Sequence, residues 1–255
     1  MQRTHSGRSA LIRLATASML TLALGAALAA VQTTASAAAA PSTAITVRVE
    51  GPKRTLVPAA GVVLSAGTIV KDGVAVDSCS GLSAAGALEL ATRGNWGGTW
   101  SASFSAYFLT TIDNLALPST GAEYWAFWVN NAPASEGICS YDPKPGDSLL
   151  FFPDCFGKTC PKNAGVLGVK APAIALVGRP FTVTVTAYDD AKGTPSKAVG
   201  ATVSGGGAQA KTTGGGTAKL SFTQAGRFTL KVDAPHAVRT ETRVCVETAT
   251  AKTCG

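Results

Sequence analysis

Histidine is scarce in this chain, and its scarcity excludes the most familiar catalytic sites. The sequence has two histidines, and only His236 lies beyond the N-terminal segment. A serine nucleophile of the triad type needs a histidine, or a lysine in its place, to accept the hydroxyl proton. His236 lies in the tetrapeptide Ala-Pro-His-Ala, which is typical of a surface turn between strands. We therefore predict no catalytic residue and a protein that is not an enzyme.

Groups suited to acid–base or metal chemistry are also few. The adjacent pair Asp189 and Asp190 precedes a Lys-Gly-Thr-Pro sequence, which is typical of a hairpin tip. A calcium site needs more oxygen ligands at close spacing than such a turn supplies. The chain has no Cys-x-x-Cys pair of the kind that binds zinc. We expect neither a metal nor a cofactor.

Long basic runs are missing as well. The formal net charge is +7, but three of the positive charges, Arg3, Arg8 and Arg13, lie at the extreme N-terminus. Without that segment the charge is +4, and no basic run is longer than the pair Lys53 and Arg54. Such scattered charge is typical of a solvated surface and argues against nucleic acid as a partner.

The N-terminal residues have the pattern of a secretory signal peptide. The three arginines precede an apolar stretch from Leu14 to Val31, and Ala35-Ser36-Ala37 provides a small-residue cleavage site. We predict cleavage near Ala37 and a secreted, extracellular protein without a transmembrane anchor in the mature chain. An uncleaved membrane anchor is the alternative, since the apolar stretch is long enough to span a bilayer. A lipid anchor is disfavoured because no cysteine directly follows this stretch.

The six cysteines indicate disulfides. An even number in an exported chain is typical of three bonds, although six cysteines allow 15 pairings. Proximity in the chain favours two short loops and leaves one long loop. The predicted pairs are Cys79 with Cys139, Cys155 with Cys160, and Cys245 with Cys254.

The first half of the mature chain has the pattern of a small sheet with one helix. Alternation at Ile45, Val47 and Val49 predicts a half-buried strand. Ser83 is a candidate N-cap, and Ala84, Ala87, Leu88 and Ala91 form an apolar stripe at helical spacing that ends at Arg93 and Gly94. We expect a loop over residues 94–100, a strand over Phe104–Leu109 and a turn at Asp113 and Asn114.

The most informative stretch runs from Tyr124 to Phe152. Its aromatic run, its segment Gly137–Tyr141 and its apolar end predict three strands joined by tight turns. The stretch resembles the closing motif of the DUF4430 family, the transcobalamin C-terminal-like domain, and the resemblance covers about residues 45–153. The positions that match are Trp125, Val129, Asn130, Gly137, Gly146 and Asp147.

The resemblance implies a β-rich domain with one helix. In vitamin B12 carriers the resembled domain closes over cobalamin opposite a large helical barrel. This chain has no room for that barrel, so the cobalamin contacts are not carried over to it. The predicted disulfide between Cys79 and Cys139 would tie the start of the helix to the strand that carries Cys139.

The second half has the pattern of an all-β sandwich. Strict alternation over Phe181–Thr186 is followed by short strands near residues 201–203, 218–222, 228–232 and 243–246, with turn signals between them. Its turns resemble those of bacterial Ig-like surface domains. The predicted organisation is a signal peptide at 1–37, a leader at 38–44, the DUF4430-like domain at 45–153, a linker at 154–170, the Ig-like domain at 171–249 and a tail at 250–255.

These patterns predict a mainly β protein with a binding function. We expect a secreted, non-enzymatic binding or adhesion protein, in which the DUF4430-like domain is presented with an Ig-like module to an unknown extracellular ligand or surface. The alternative is a small-ligand or glycan binder that uses the aromatic strand, and it includes a corrinoid-like ligand although the barrel partner domain is absent. Its candidate residues are Trp125, Trp128, Asn130 and Asn131. That alternative needs an exposed aromatic row, whereas a core with two covered faces would bury it.

Overall fold

The structure, a computed structural model, describes residues 44–117, 122–157, 165–250 and residue 254. The predicted signal peptide, most of the leader, part of the linker and most of the tail lie outside these residues. Within them the fold is mainly β with a single helix, as predicted. No helix in the described part is long and apolar enough to cross a membrane.

A five-stranded sheet forms the centre of the N-terminal part, residues 44–157. The strand order is β2-β1-β10-β8-β9, and β1 and β10 run parallel while their other neighbours run antiparallel. The alternating apolar residues of β1 point to one face, where Ile45, Val47 and Val49 are fully buried. The strands are β1 (Ala44–Glu50), β2 (Thr55–Val63), β8 (Glu123–Val129), β9 (Ala132–Pro133) and β10 (Ser148–Cys155).

One helix, α1 (Ala84–Thr92), packs against this face and begins and ends where the sequence predicts. Ser83 occupies the N-cap position, and Arg93 and Gly94 adopt left-handed φ angles of 55° and 79° at the other end. Two small sheets complete this part. One contains β3 (Thr68–Val70) and β4 (Ser78–Ser80), and the other contains β5 (Trp96–Ser101), β6 (Ala106–Ile112) and β7 (Leu115–Ala116).

Two of the predicted local structures in this part are wrong. The expected loop over residues 94–100 contains strand β5, in which Gly98 lies so close to β6 that an added Cβ would be 2.7 Å from the carbonyl oxygen of Phe108. The expected strand at residues 137–141 is a turn. Its carbonyl groups at Ile138 and Tyr141 accept hydrogen bonds from the first two N–H groups of α1, at 2.8 and 2.9 Å.

The C-terminal part, residues 165–250, consists of two sheets around one shared core. One sheet has the order β11-β13-β14 with β17 also paired to β13, and the other has the order β12-β19-β18-β15-β16. All the strands predicted here are present, and β11 shows that the predicted linker ends in a strand. The Ig-like classification and the domain boundaries stay predictions. The strands are β11 (Val166–Lys170), β12 (Ile174–Leu176), β13 (Phe181–Tyr188), β14 (Pro195–Lys197), β15 (Thr202–Gly205), β16 (Ala208–Lys211), β17 (Thr217–Leu220), β18 (Gly226–Asp233) and β19 (Thr240–Glu247).

Two of the three predicted disulfides are seen in the structure. Cys79 bonds to Cys139 with 4.8 Å between their Cα atoms, and Cys245 bonds to Cys254 with 6.1 Å between theirs. Cys139 lies in the turn that caps α1, so the first bond ties that turn to β4 rather than joining two strands. Cys155 is also disulfide-bonded, and its predicted partner Cys160 lies outside the described residues.

Candidate functional site

The aromatic strand β8 does not form an exposed platform. Trp125 is 6% exposed and lies in the core beneath α1, while Trp128, on the opposite face, is 2% exposed. The face of Trp128 is covered by the C-terminal part, through Val166, Tyr188 and Val238. Both parts belong to one compact unit. The sheet is therefore a core with two covered faces, and neither tryptophan is positioned to stack on a ligand.

The two asparagines after β8 form the turn of a hairpin. Asn130 and Asn131 have positive φ angles of 52° and 66°, as a tight turn between two strands requires, and asparagine tolerates this conformation well. The amide Nδ2 of Asn130 donates to Asp147 Oδ1 at 2.8 Å, and its Oδ1 accepts from the N–H of Ser148 at 2.9 Å. The Asn130 side chain thus holds the turn to the start of β10.

Asp147 is the centre of this arrangement. Its Oδ2 accepts hydrogen bonds from the Tyr141 hydroxyl and from the N–H of Lys144, both at 2.8 Å. Burial raises the pKa of this carboxyl, but the hydrogen bonds from Lys144, Asn130 and Tyr141 outweigh burial and leave the pKa below its ordinary value. Burial and the Asp147 carboxylate raise the pKa of Tyr141 to about 12. We call these four residues the Asp147 cluster.

The N-terminal and C-terminal parts are joined by a network of two buried charges, Arg48 and Glu50, and the half-buried Arg239. The guanidinium Nη1 of Arg48 donates to Glu50 Oε1 at 2.9 Å and to the carbonyl oxygen of Arg239 at 2.5 Å. Arg239 lies across the interface, with its Nη1 3.6 Å from Glu50 Oε2. It also donates to the carbonyl oxygens of Gly51 and Pro52 at 3.0 and 3.1 Å. Burial raises the pKa of Glu50 and lowers that of Arg48, while the ion pair between them opposes both shifts.

A second polar contact across the interface involves two carboxyl groups. The Tyr124 hydroxyl donates to Asp154 Oδ2 at 3.0 Å, and the carboxyl of Asp190, at the tip of the β13–β14 hairpin, interacts with that of Asp154. Desolvation and the neighbouring carboxyl of Asp154 raise the pKa of Asp190. Desolvation, Asp154 and Asp190 raise the pKa of Tyr124 to about 12. Asp189 instead accepts three backbone hydrogen bonds within the hairpin, as expected of a turn residue.

These two contacts border a cleft of about 310 Å³ between the parts, which we call the interface cleft. Its walls come from the end of β1, from β8 and β10, and from the β18–β19 turn. His236 is exposed in that turn, as predicted, with a φ of 59°. The polar side chains that line the cleft are Glu50, Glu123, Asp154, His236 and Arg239.

A larger cleft of about 560 Å³ lies on the other side of the β1–β2 loop, entirely within the N-terminal part. We call it the loop cleft. The β1–β2 loop forms one wall and the β6–β7 turn the other. Its lining residues are Gly51, Pro52, Lys53, Arg54, Leu56, Asp113, Asn114 and Leu115.

No sequence pattern predicted which residues line these clefts or which charged residues join the two parts. Arg48 and Glu50 alternate with Val47 and Val49, so they lie together on the second face of β1. A half-buried strand would leave that face in water, and two charges there are normal. The opposite charges of Arg48 and Glu50, two residues apart, are the one sequence signal of this pair. Their burial becomes evident only from the packing of the C-terminal part against them.

Comparison with known proteins supports the resemblance. Residues 92–152, 61 of the 255 residues, match the family model described as "Domain of unknown function (DUF4430)". The family predicted from the Tyr124–Phe152 stretch is therefore confirmed for this segment of the chain. The match includes β8 and the Asp147 cluster, so two of the positions that mark the family here, Asn130 and Asp147, hold the β8–β9 turn against the start of β10.

Solved structures show only distant likeness. A structure described as a candidate metal-binding protein from Ruminococcus gnavus is 16% identical and covers 45% of this chain and 98% of its own, with a TM-score of 0.31. The Arg-specific cysteine proteinase gingipain R of Porphyromonas gingivalis is 20% identical, with 41% of this chain and 23% of its own covered and a TM-score of 0.26. Red sea bream transglutaminase is 21% identical, with 41% and 17% covered and a TM-score of 0.23. These values assign neither fold nor function. No curated protein sequence matches the chain.

Proposed function

We propose that this chain is an exported, non-enzymatic binding protein whose interface cleft takes a small ligand that carries a cationic group. In this proposal the C-terminal part holds the N-terminal part in a fixed orientation and completes the binding site. The signal-peptide pattern and the disulfides support export, because disulfides persist mainly in oxidising compartments. N-terminal sequencing of the secreted protein tests this step, with Ala38 expected as the first residue.

The interface cleft itself is the observation that carries the proposal. Its volume of about 310 Å³ lies at the lower end of the range for small-molecule sites, which often form where two structural units meet. Arg239 is already occupied by Glu50, Asp233 and two carbonyl groups. Asp154 is buried and accepts from Tyr124, so Glu123, which is exposed, gives the cleft its acidic character, and an ammonium group is the complementary ligand.

The non-enzymatic part of the proposal rests on the roles of the acidic groups in the structure. Asp189 holds a hairpin turn, and Glu50 is paired with Arg48 at 2.9 Å. Asp147 holds the turn after β8. These carboxyl groups are committed to the fold, which is a different use from general acid–base catalysis of a bound substrate.

Binding of a diamine tests the site. We expect 1,4-diaminobutane to bind the mature protein in isothermal titration calorimetry, and its neutral analogue 1,4-butanediol to bind at least tenfold more weakly, since the charge contributes about 1.4 kcal/mol or more. Glu123→Gln should weaken diamine binding about tenfold. Glu123 is exposed, so its loss should leave the fold intact.

Asp142→Asn provides the matched control, because Asp142 is an acid that does not line the interface cleft. It should bind the diamine as tightly as the wild-type protein. Equal binding of diamine and diol, or an equal loss of affinity in the two variants, would refute the proposed site.

A further inference from the structure

The loop cleft has a chemistry different from that of the interface cleft. Its floor is apolar, because Leu56 and Leu115 lie there and pack with their other sides against the core of the N-terminal part. Its rim carries Lys53 and Arg54, both exposed. A cleft with an apolar floor and a cationic rim differs from an ordinary solvated surface, on which charges cover polar ground.

The charge of the rim is not neutralised within the described residues. The four ion pairs there involve Arg48, Lys71 and Arg239 as the cations, and neither Lys53 nor Arg54. Asp113 is the acidic residue of the lining. It belongs to the opposite wall, where its Oδ1 accepts from Asn95 Nδ2 at 3.3 Å. The cleft therefore has two cations and one acid, and an anion is its complementary ligand.

Both walls are held in place from behind. In the β1–β2 loop, the N–H of Gly51 donates to the Arg54 carbonyl at 2.8 Å, and Arg239 binds the carbonyls of Gly51 and Pro52 from the interface side. In the β6–β7 turn, Asp113 and Asn114 have φ angles of 48° and 62°, and the N–H of Asp113 donates to the Asn95 carbonyl at 2.9 Å. A cleft between two fixed loops needs little reordering when a ligand enters.

We propose that the loop cleft is a second binding site, which takes an organic carboxylate with an apolar body. The apolar body lies on Leu56 and Leu115, and the carboxylate accepts hydrogen bonds from Arg54 and Lys53 at the rim. An arginine suits this role because its planar guanidinium can bind both oxygens of a carboxylate. This site is separate from the proposed amine site, since the two clefts share only Gly51 and Pro52 among their lining residues.

The test uses 4-phenylbutyrate as the probe and the mature protein labelled with nitrogen-15. For a ligand of this size we expect a dissociation constant on the order of millimolar. The amide signals of Lys53, Arg54, Leu56 and Asn114 should shift in a saturable way as the acid is added. The neutral analogue 4-phenylbutanol should bind about tenfold more weakly, and butyrate, which lacks the aromatic ring, should also bind more weakly.

Charge-removing variants complete the test. Arg54→Gln and Lys53→Gln should each weaken the acid several-fold and leave the binding of the alcohol unchanged, whereas Lys219→Gln, an exposed lysine on β17, should change neither. Equal affinity for acid and alcohol would overturn the proposal, as would amide shifts confined to other regions or no saturable shift. Diamine binding at the interface cleft is measured in a separate titration. The proposed amine site and the proposed carboxylate site can therefore be refuted independently.

Discussion

Asp147 illustrates how a residue that marks a family can be structural rather than functional. Its carboxyl joins the β8–β9 turn, the Tyr141 side chain and the chain just before β10. The Tyr124–Phe152 pattern correctly predicted that Asn130, Gly146 and Asp147 belong together as a motif. It could not show that Asn130 and Asp147 bind one another, because a spacing along the chain does not show which groups meet in space.

Replacement of Asp147 by alanine should destabilise the fold. The change leaves the Tyr141 hydroxyl, the Asn130 amide and the Lys144 N–H without their shared acceptor, and each such loss to a charged partner is worth roughly 1.5–3 kcal/mol before relaxation. We expect the free energy of unfolding at pH 7 to fall by about 2–3 kcal/mol, as measured by urea denaturation. Asp142→Ala, a change at a nearby acid outside the Asp147 cluster, should alter it by less than about 0.5 kcal/mol.

The same comparison has a defined pH dependence. Because the folded pKa of Asp147 lies below its ordinary value, the carboxyl stabilises the fold above the unfolded pKa of about 4, and this contribution is lost as the pH falls through the folded pKa. The difference between the wild type and Asp147→Ala should therefore be constant from about pH 6 to 8 and shrink below about pH 4. A difference that grows on acidification would contradict this role.

At the scale of elements, the helix depends on a turn that is distant in sequence. The N–H groups of Ala84 and Ala85 are satisfied by carbonyls of residues 138–141, and Cys79–Cys139 ties this turn to β4, just before the helix. The helix was predictable because its apolar stripe and its end signals are local. The turn that caps it was predicted as a strand, since its β-branched and aromatic residues favour a strand when tertiary contacts are unknown.

Strand β5 shows the opposite error. Glycines at 97 and 98 weaken the local preference for a strand, so the sequence predicts a loop for this segment. Position 98 requires glycine, because β6 approaches too closely for a side chain. Alternation along the chain therefore identified strands such as β1 and β13, and it failed where pairing with a neighbouring strand decides the conformation.

Removal of the Cys79–Cys139 bond should have a large effect. Its cysteines are 60 residues apart, and the chain-entropy relation gives about 4 kcal/mol for a loop of that length. The double variant Cys79→Ala/Cys139→Ala should lose about this much free energy of unfolding and should weaken protection of the α1 amides in hydrogen exchange. Cys245→Ala/Cys254→Ala is the matched control, with a separation of 9 residues and an expected loss of about 3 kcal/mol without an effect on α1. Unchanged protection of α1 in the first variant would contradict the proposed link.

At the scale of the whole molecule, the interface between the two parts could not be read from the sequence. Composition and turn spacing predict two β-rich parts, but they leave open whether the second face of the aromatic strand is exposed or covered. The structure places Val166, Tyr188 and Val238 on that face. A Cβ at Gly193, in the β13–β14 hairpin, would clash with the carbonyl of Asn131. Both proposed clefts depend on this packing, since Arg239 borders the first and supports a wall of the second.

The network of Arg48, Glu50 and the half-buried Arg239 lies at this interface, and its ion pair within β1 can be tested by substitution. Glu50 is 1% exposed, so Glu50→Leu leaves Arg48, 8% exposed, as a buried charge without its partner. Such a break costs about 3–5 kcal/mol, whereas replacement of both partners by apolar residues is much less harmful. We therefore expect Glu50→Leu to lower the free energy of unfolding by about 3–5 kcal/mol, and Arg48→Met/Glu50→Leu to recover most of that loss, as measured by calorimetry and urea denaturation. If the single and double variants are equally destabilised, Glu50 acts through packing alone, and its ion pair with Arg48 does not stabilise the fold.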